Sequence, residues 1–223
     1  MAEREARRLQ ERQREEERAR RHAFVEHLWR ETWDGSQPLA GSPILRWLQV
    51  RGIDDAAMDL DRLPLRWAPT CARAKTTASA MVALMTDPVT AEPCGIHRTF
   101  LLPDGSAKAF GKDSRQMLGK AGIIRLSPDD EVELGLGICE GIETGLAIMA
   151  AGWRPIWAAG SLDAVRRFPV FAGVECLTVF GDPKPHELAG ARVCADRWAA
   201  VGYEAIVRIP NHGDWNDTLK VTS

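Results

Sequence analysis

From residue 133 to the C-terminus, short apolar runs alternate with helix-length segments, and this rhythm limits the fold more than any other feature of the chain. The sequence predicts strands at 133–139, 155–159, 176–181 and 204–209. Helices are predicted at 142–151, 162–167 and 187–200, with a last helical turn after Asp214. Strands separated by helices pair side by side in a parallel, doubly wound sheet, which displays its chemistry beyond the carboxyl ends of the strands. Three of the runs end in acid: LGLGICE at Glu140, LTVFGD at Asp182, and EAIVRIP leading into HGDWND with Asp214 and Asp217. Carboxylates gathered along one rim suit Mg²⁺, which binds through a few carboxylates plus water and phosphate oxygens.

The individual acids carry different expectations. Glu140 ends a strand just before a helix, with Gly141 expected to permit the tight turn, and suits proton transfer or metal binding. Glu143 and Glu187 stand in first helical turns, where countering the helix dipole is an alternative role. Asp214 and Asp217 compete with a plain capping explanation, since Asp and Asn are favoured N-caps. Of the two, Asp214 is the expected metal-facing group.

The half before residue 130 reads differently. LRWAP, SAMVALMTD, GIHRTFLL, AKAF and IIRL, divided by Pro, Gly and Asp turns, predict β structure over 64–126, with a hairpin at the PDG of 103–105. Ser42 is expected to cap a short helix from Pro43 to Val50, and a second short helix is expected after Asp54. Residues 2–22 are dominated by Arg and Glu at helical spacings and predict a solvated helical arm. Phe24, Val25, Leu28 and Trp29 then form a stripe that docks it on the body.

Composition excludes some classes. With 29 Lys plus Arg against 31 Asp plus Glu, the molecule is no polycation, so a nucleic-acid contact needs a local patch. The candidates are Arg98, Lys108, Lys112, Arg115, Lys120 and Arg125, in the β-rich segment; an ordinary solvated face is the competing reading. Five cysteines without a CxxC pair imply free thiols in a reducing, cytoplasmic setting. Cys94 and His97 have a zinc-like spacing but no second pair beside them. No apolar run reaches membrane-spanning length, and no GxxxxGK[ST] motor motif is present.

CEGIET, the later strand ending in Asp182 with Ala189–Gly190 beyond it, and GDWND together resemble a Toprim domain. ILRWLQVRGI, CGIHRTFLLPDGSAKA and MLGKAG upstream are similar to the segment that precedes Toprim in primase-like proteins of phages, plasmids and integrative elements. The resemblance spans roughly residues 38–220. It implies a charged helical arm over 1–36, a primase-like α+β subdomain over 37–128 and a Toprim domain over 129–223. It also implies Mg²⁺- or Mn²⁺-dependent synthesis of short primers from nucleoside triphosphates on single-stranded DNA. A helicase or another replication protein is the expected partner of the arm. Other readings are a catalytically weak Toprim module that binds nucleic acid or a replication partner, and a Toprim nuclease.

Carried over residue by residue, the resemblance assigns the first motif's glutamate to Glu140 and the first acid of the Asp-x-Asp motif to Asp182. The third motif's acids fall on Asp214 and Asp217. The second motif departs from the pattern, because Lys184 occupies the position of its second acid. An insertion of about three residues would instead bring Glu187 to that place. Convergence of Glu140, Asp182 and a further acid, with Lys184 directed away, is what the enzyme reading requires. The four-ligand zinc ribbon that many such primases carry has no counterpart in this sequence, and another chain is one possible source of it.

Overall fold

The computed structural model describes residues 2–56 and 58–220. The charged arm and the apolar stripe form one unbroken helix, α1 (Ala2–Asp34). Residues 4–21 are exposed throughout, as a helix polar on every side must be. Beyond them Val25 is fully buried and Trp29 packs on the body, whereas Phe24 remains 52% exposed. The side chain of Leu28, the stripe's fourth member, lies outside the described residues.

α2 (Pro43–Val50) has the expected start, with Ser42 Oγ accepting from the Ile44 N–H at 3.3 Å and Pro43 in the first turn. No helix follows Asp54 among the described residues; the chain there is a run of turns in which Asp54 caps Ala56 N–H. An antiparallel sheet comes next, in the order β1 (Leu65–Arg73), β2 (Thr76–Thr86), β3 (Pro93–Phe100), β4 (Arg115–Gly119). Pro69 enters β1 at a bulge between Ala68 and Cys71, which frees it from ladder duty.

Two sequence expectations fail in this half. AKAF makes only an isolated bridge, Leu101 to Lys108. IIRL likewise bridges rather than forming a strand: Ile123 pairs with Thr86 of the antiparallel sheet and Ile124 with Ala158 of the second sheet. The fourth strand is β4, whose RQMLG sequence carries too short an alternation to stand out.

The second sheet is parallel, ordered β6 (Ile156–Ala158), β5 (Gly135–Cys139), β7 (Cys176–Phe180), β8 (Glu204–Arg208). Its helices are α3 (Ile142–Ala150), α4 (Leu162–Arg166), α5 (Pro185–Ala199) and α6 (Trp215–Lys220). Each lies within a residue or two of its predicted position. After β5 the chain crosses to β6 on one side, and then to β7 on the other. The crevice between the ends of β5 and β7 is therefore the topological switch point.

One apolar cluster joins the two sheets. It runs from Trp47 and Leu48 of α2 through Leu65, Trp67 and Met81 to Ile142, Leu146 and Phe180. A second cluster seals the opposite face of the parallel sheet, where Phe168 and Trp198 stack at 6.1 Å. Burying each large side chain contributes about 1.5–3 kcal/mol. All five cysteines are free. Among the described residues no helix is long and apolar enough to cross a membrane.

Candidate active site at the strand ends

Glu140 follows β5 directly and Asp182 follows β7 after one glycine. The register pairs Cys139 with Phe180, so the two acids flank the switch-point crevice. Glu187 reaches the same place from the first turn of α5. All three carboxylate residues line one small cavity, together with Thr144, Leu162 and Phe180. Gly141 has φ −105° and ψ 149°, a conformation open to any residue, so the expected need for glycine in that turn is not met.

The electrostatics are those of crowded acids. Burial and the nearby Glu187 charge raise the Glu140 pKa, against the lowering influence of Arg115, Lys184 and His186. Burial and a hydrogen bond to Glu187 push Asp182 up to about 6. Burial also acts to raise Glu187, but hydrogen bonds from Lys184 and Asp182 outweigh it and hold Glu187 below its ordinary value. Of the pair, Asp182 is thus the member held above its ordinary value and Glu187 the one held below. Lys184 is not directed away: its ammonium sits 2.8 Å from Glu187 and 4.0 Å from Asp182. It is, however, 62% exposed and enters from the solvent side.

Asp214 and Asp217 are bound up locally. Asp214 Oδ1 accepts the Asp217 N–H at 2.9 Å, and Asp217 Oδ2 accepts the Asp214 N–H at 3.4 Å, a reciprocal cap on α6. Asp214 Oδ2 meets Arg51 Nη2 at 3.4 Å. Asp214 is still near enough to help raise the Asp182 pKa. Gly213 is held to this motif by geometry: its φ is +57°, and a Cβ there would lie 2.7 Å from Asp217 Oδ2.

Among the described residues no group of three or more His, Cys, Asp or Glu side chains is gathered closely enough to hold a metal ion. Carboxylates crowded enough to raise the pKa of Glu140 and Asp182 are instead a donor set short of positive charge, which Lys184 partly supplies. Mg²⁺ takes one or two carboxylates and completes its shell with water and phosphate oxygens. Glu140, Asp182 and Glu187 offer that set.

The basic candidates divide. Arg98 is only 6% exposed; its guanidinium donates to the Ala72 carbonyl and to Gln116 inside the sheet, so it does not face a ligand. Arg125 is similarly fixed by Asp129, Thr86 and the Trp157 ring. Lys108 pairs with Glu143 at 2.7 Å, which gives that first-turn acid a structural partner. Lys120 is exposed and 3.7 Å from Asp87. Lys112 and Arg115 are exposed, and Arg115 is close enough to Glu140 to lower its pKa.

Arg51 and Trp47 were not among the sequence candidates. Arg51 and Lys108 both lie over the Trp47 ring, at 5.8 and 5.4 Å, and reach Asp214 and Glu143 respectively. Two ion pairs between the N-terminal and C-terminal halves of the chain are thereby organised around one indole. The RGI following α2 was a visible signal, but nothing in the sequence indicates the distant acid it meets.

The fold and site define a class. Residues 135–223 match the Toprim domain family, and residues 25–124 match a domain of unknown function, DUF7146. Among curated proteins, none matches the chain. Several solved primase structures are similar in fold. A DnaG primase catalytic domain bound to ssDNA aligns with TM-score 0.63 and 12% identity, over 93% of this chain and 78% of that one. The primase fragment of the bacteriophage T7 primase-helicase aligns with TM-score 0.55 and 14% identity, over 76% of this chain and 66% of that fragment. The E. coli primase catalytic core gives 0.54 and 13%, over 83% and 70%. Residues 135–223 thus carry a Toprim domain, and the chain as a whole has the fold of a primase catalytic core.

Proposed function

We propose that the chain is a metal-dependent, primase-type nucleotidyltransferase that makes short primers on single-stranded DNA. The observation that supports this best is the convergence of Glu140, Asp182 and Glu187 on one cavity at the switch point; the second condition, Lys184 directed away, is not met, although its ammonium approaches from the solvent side. These three would hold Mg²⁺ or Mn²⁺, and Asp214 would join them only on leaving Arg51. When bound, the metal supplies the positive charge that neutralises a triphosphate and activates an attacking 3′-hydroxyl.

The protein's own groups supply the rest. Glu140, with its raised pKa, is suited to take the proton from that hydroxyl. Arg115, exposed beside it, holds phosphate oxygens, with Lys112 and Lys120 along the same surface guiding the template without reading its sequence. The arm of α1 contacts a helicase or another replication protein, and the setting is cytoplasmic. The domain division at residues 36 and 128 belongs to the same reading.

The experiment is primer synthesis from ribonucleotides and Mg²⁺ on a single-stranded template, comparing the natural chain with Asp182→Asn. Product from the first and none from the second is expected.

A second reading, a catalytically weak module that binds nucleic acid or a replication partner, draws on Lys184 lying 2.8 Å from Glu187. Template binding without synthesis would select it. Scission of the template in the absence of nucleotides would select a Toprim nuclease instead.

A further inference from the structure

On the far side of Phe180 from the acid cavity lies an open groove of about 630 Å³, bordered by α3, β8 and α6. Its floor is aromatic. Phe180 meets Trp153 edge-on at 4.8 Å and Trp215 edge-on at 5.2 Å. Phe180 is 5% exposed, but the two indoles are only half-buried and present their remaining surface to the groove. Ile209, 45% exposed, extends the apolar wall.

The rim is polar and uncommitted. Arg208 and Asn211 are exposed, and among the described residues neither side chain has a hydrogen bond or ion pair. The groove adjoins the acid cavity across Phe180. Phe180 lines both, and Trp215 Nε1 donates at 3.0 Å to the carbonyl of Gly181, the residue before Asp182.

We propose that this groove binds a nucleobase and its phosphate from a single strand passing the acid cavity. Aromatic faces accept any base by stacking, a free guanidinium complements a phosphate, and a free carboxamide can pair with a base edge. An apolar protein segment would find the rings but would leave the cation and the amide unused. This inference rests on the nucleic-acid reading above and extends it to a second place on the surface.

The test uses the full chain and ten-nucleotide single strands of DNA and of RNA carrying 5-iodouracil and a fluorescent label. Anisotropy is followed across a salt series for the natural chain, Arg208→Gln and Asn211→Ala, with circular dichroism verifying that each variant is folded. Irradiation and peptide mapping then locate the cross-links. Cross-links on Trp153 or Trp215 are expected. Arg208→Gln should weaken binding about three- to tenfold and lower the salt slope by about one. The DNA and RNA arms tell template from product as the occupant. Binding that is unchanged in Arg208→Gln, with cross-links confined to other surfaces, overturns the groove and leaves it to a protein segment. Absence of any oligonucleotide binding by the natural chain overturns the nucleic-acid reading itself, a distinct outcome.

Discussion

Lys184 places its ammonium 2.8 Å from the Glu187 carboxylate. The lysine stands where a second acid is expected, and the acid that reaches the cavity lies three residues later, in the first turn of α5. Lys184 and Glu187 therefore bring a cation that opposes a metal and a carboxylate to the same place. Lys184→Ala removes the competitor and should tighten Mn²⁺ or Mg²⁺ binding by about three- to tenfold, an estimate for one partly solvated charge. Calorimetric titration with the metal alone measures this. Weaker binding in the variant would mean that Lys184 helps to organise the site.

Asp182, pushed up to about 6, lowers stability at neutral pH. An acid whose folded pKa exceeds its unfolded value makes the folded state bind more protons between the two. Stability is thus lost as pH rises from about 4 to about 6. Asp182→Asn should raise Tm at pH 7.5 by about 2–4 °C, the shift for roughly 1 kcal/mol in a domain of this size, and by less at pH 5. Differential scanning calorimetry at the two pH values checks it. A lower Tm in the variant at pH 7.5 would contradict the crowding of these acids.

His97 works in the opposite direction. Burial, with the Arg115, Lys108 and Arg98 charges outweighing Glu143, holds its pKa down at about 4. Its Nδ1 is buried without a hydrogen-bond partner. The unfolded chain binds a proton between about 4 and 6.5 that the folded chain refuses, so this contribution to stability is lost as pH falls through that window. The two residues nearly offset each other there. Denaturation of Asp182→Asn from pH 4 to 6.5 should therefore show stability rising more steeply with pH than in the natural chain. An NMR titration in which the His97 ring protonates near 6.5 would refute the assignment.

Gly213 fixes the third acidic motif. An alanine would need φ +57° and would press its methyl within 2.9 Å of the Asp217 Cβ. Gly213→Ala should destabilise by about 1–2 kcal/mol, as strained left-handed residues do. It should also loosen the reciprocal cap between Asp214 and Asp217. Urea unfolding gives the first quantity, and amide exchange at Asp217 the second.

The parallel half was legible because each element declares itself locally. Short apolar runs between helix-length segments gave β5 through α6 to within a residue or two, and the acids at the strand ends followed from the topology. The antiparallel half was less so. β4 is a five-residue edge strand with a partly exposed pattern, and Ile123 and Ile124 form a bridge between two sheets, which no local pattern encodes. Arg98 read as a surface cation because alternation cannot tell which side of a strand is covered by a long helix. Arg51 and Trp47 escaped notice because their partners, Asp214 and Lys108, are distant in sequence. Lys184 could be named as a problem, but whether it faced the acids depended on how α5 begins.

The central claim is that Glu140, Asp182 and Glu187 form a metal-dependent centre for phosphoryl transfer. Primer synthesis on single-stranded DNA with ribonucleotides and Mg²⁺ tests it most directly, run on the natural chain and on Asp182→Asn with their folding verified. The prediction is labelled primers from the natural chain, dependent on Mg²⁺, and at least a hundredfold less from the variant, the order of loss when a group stabilising transition-state charge is removed. Equal synthesis by both chains would contradict the claim.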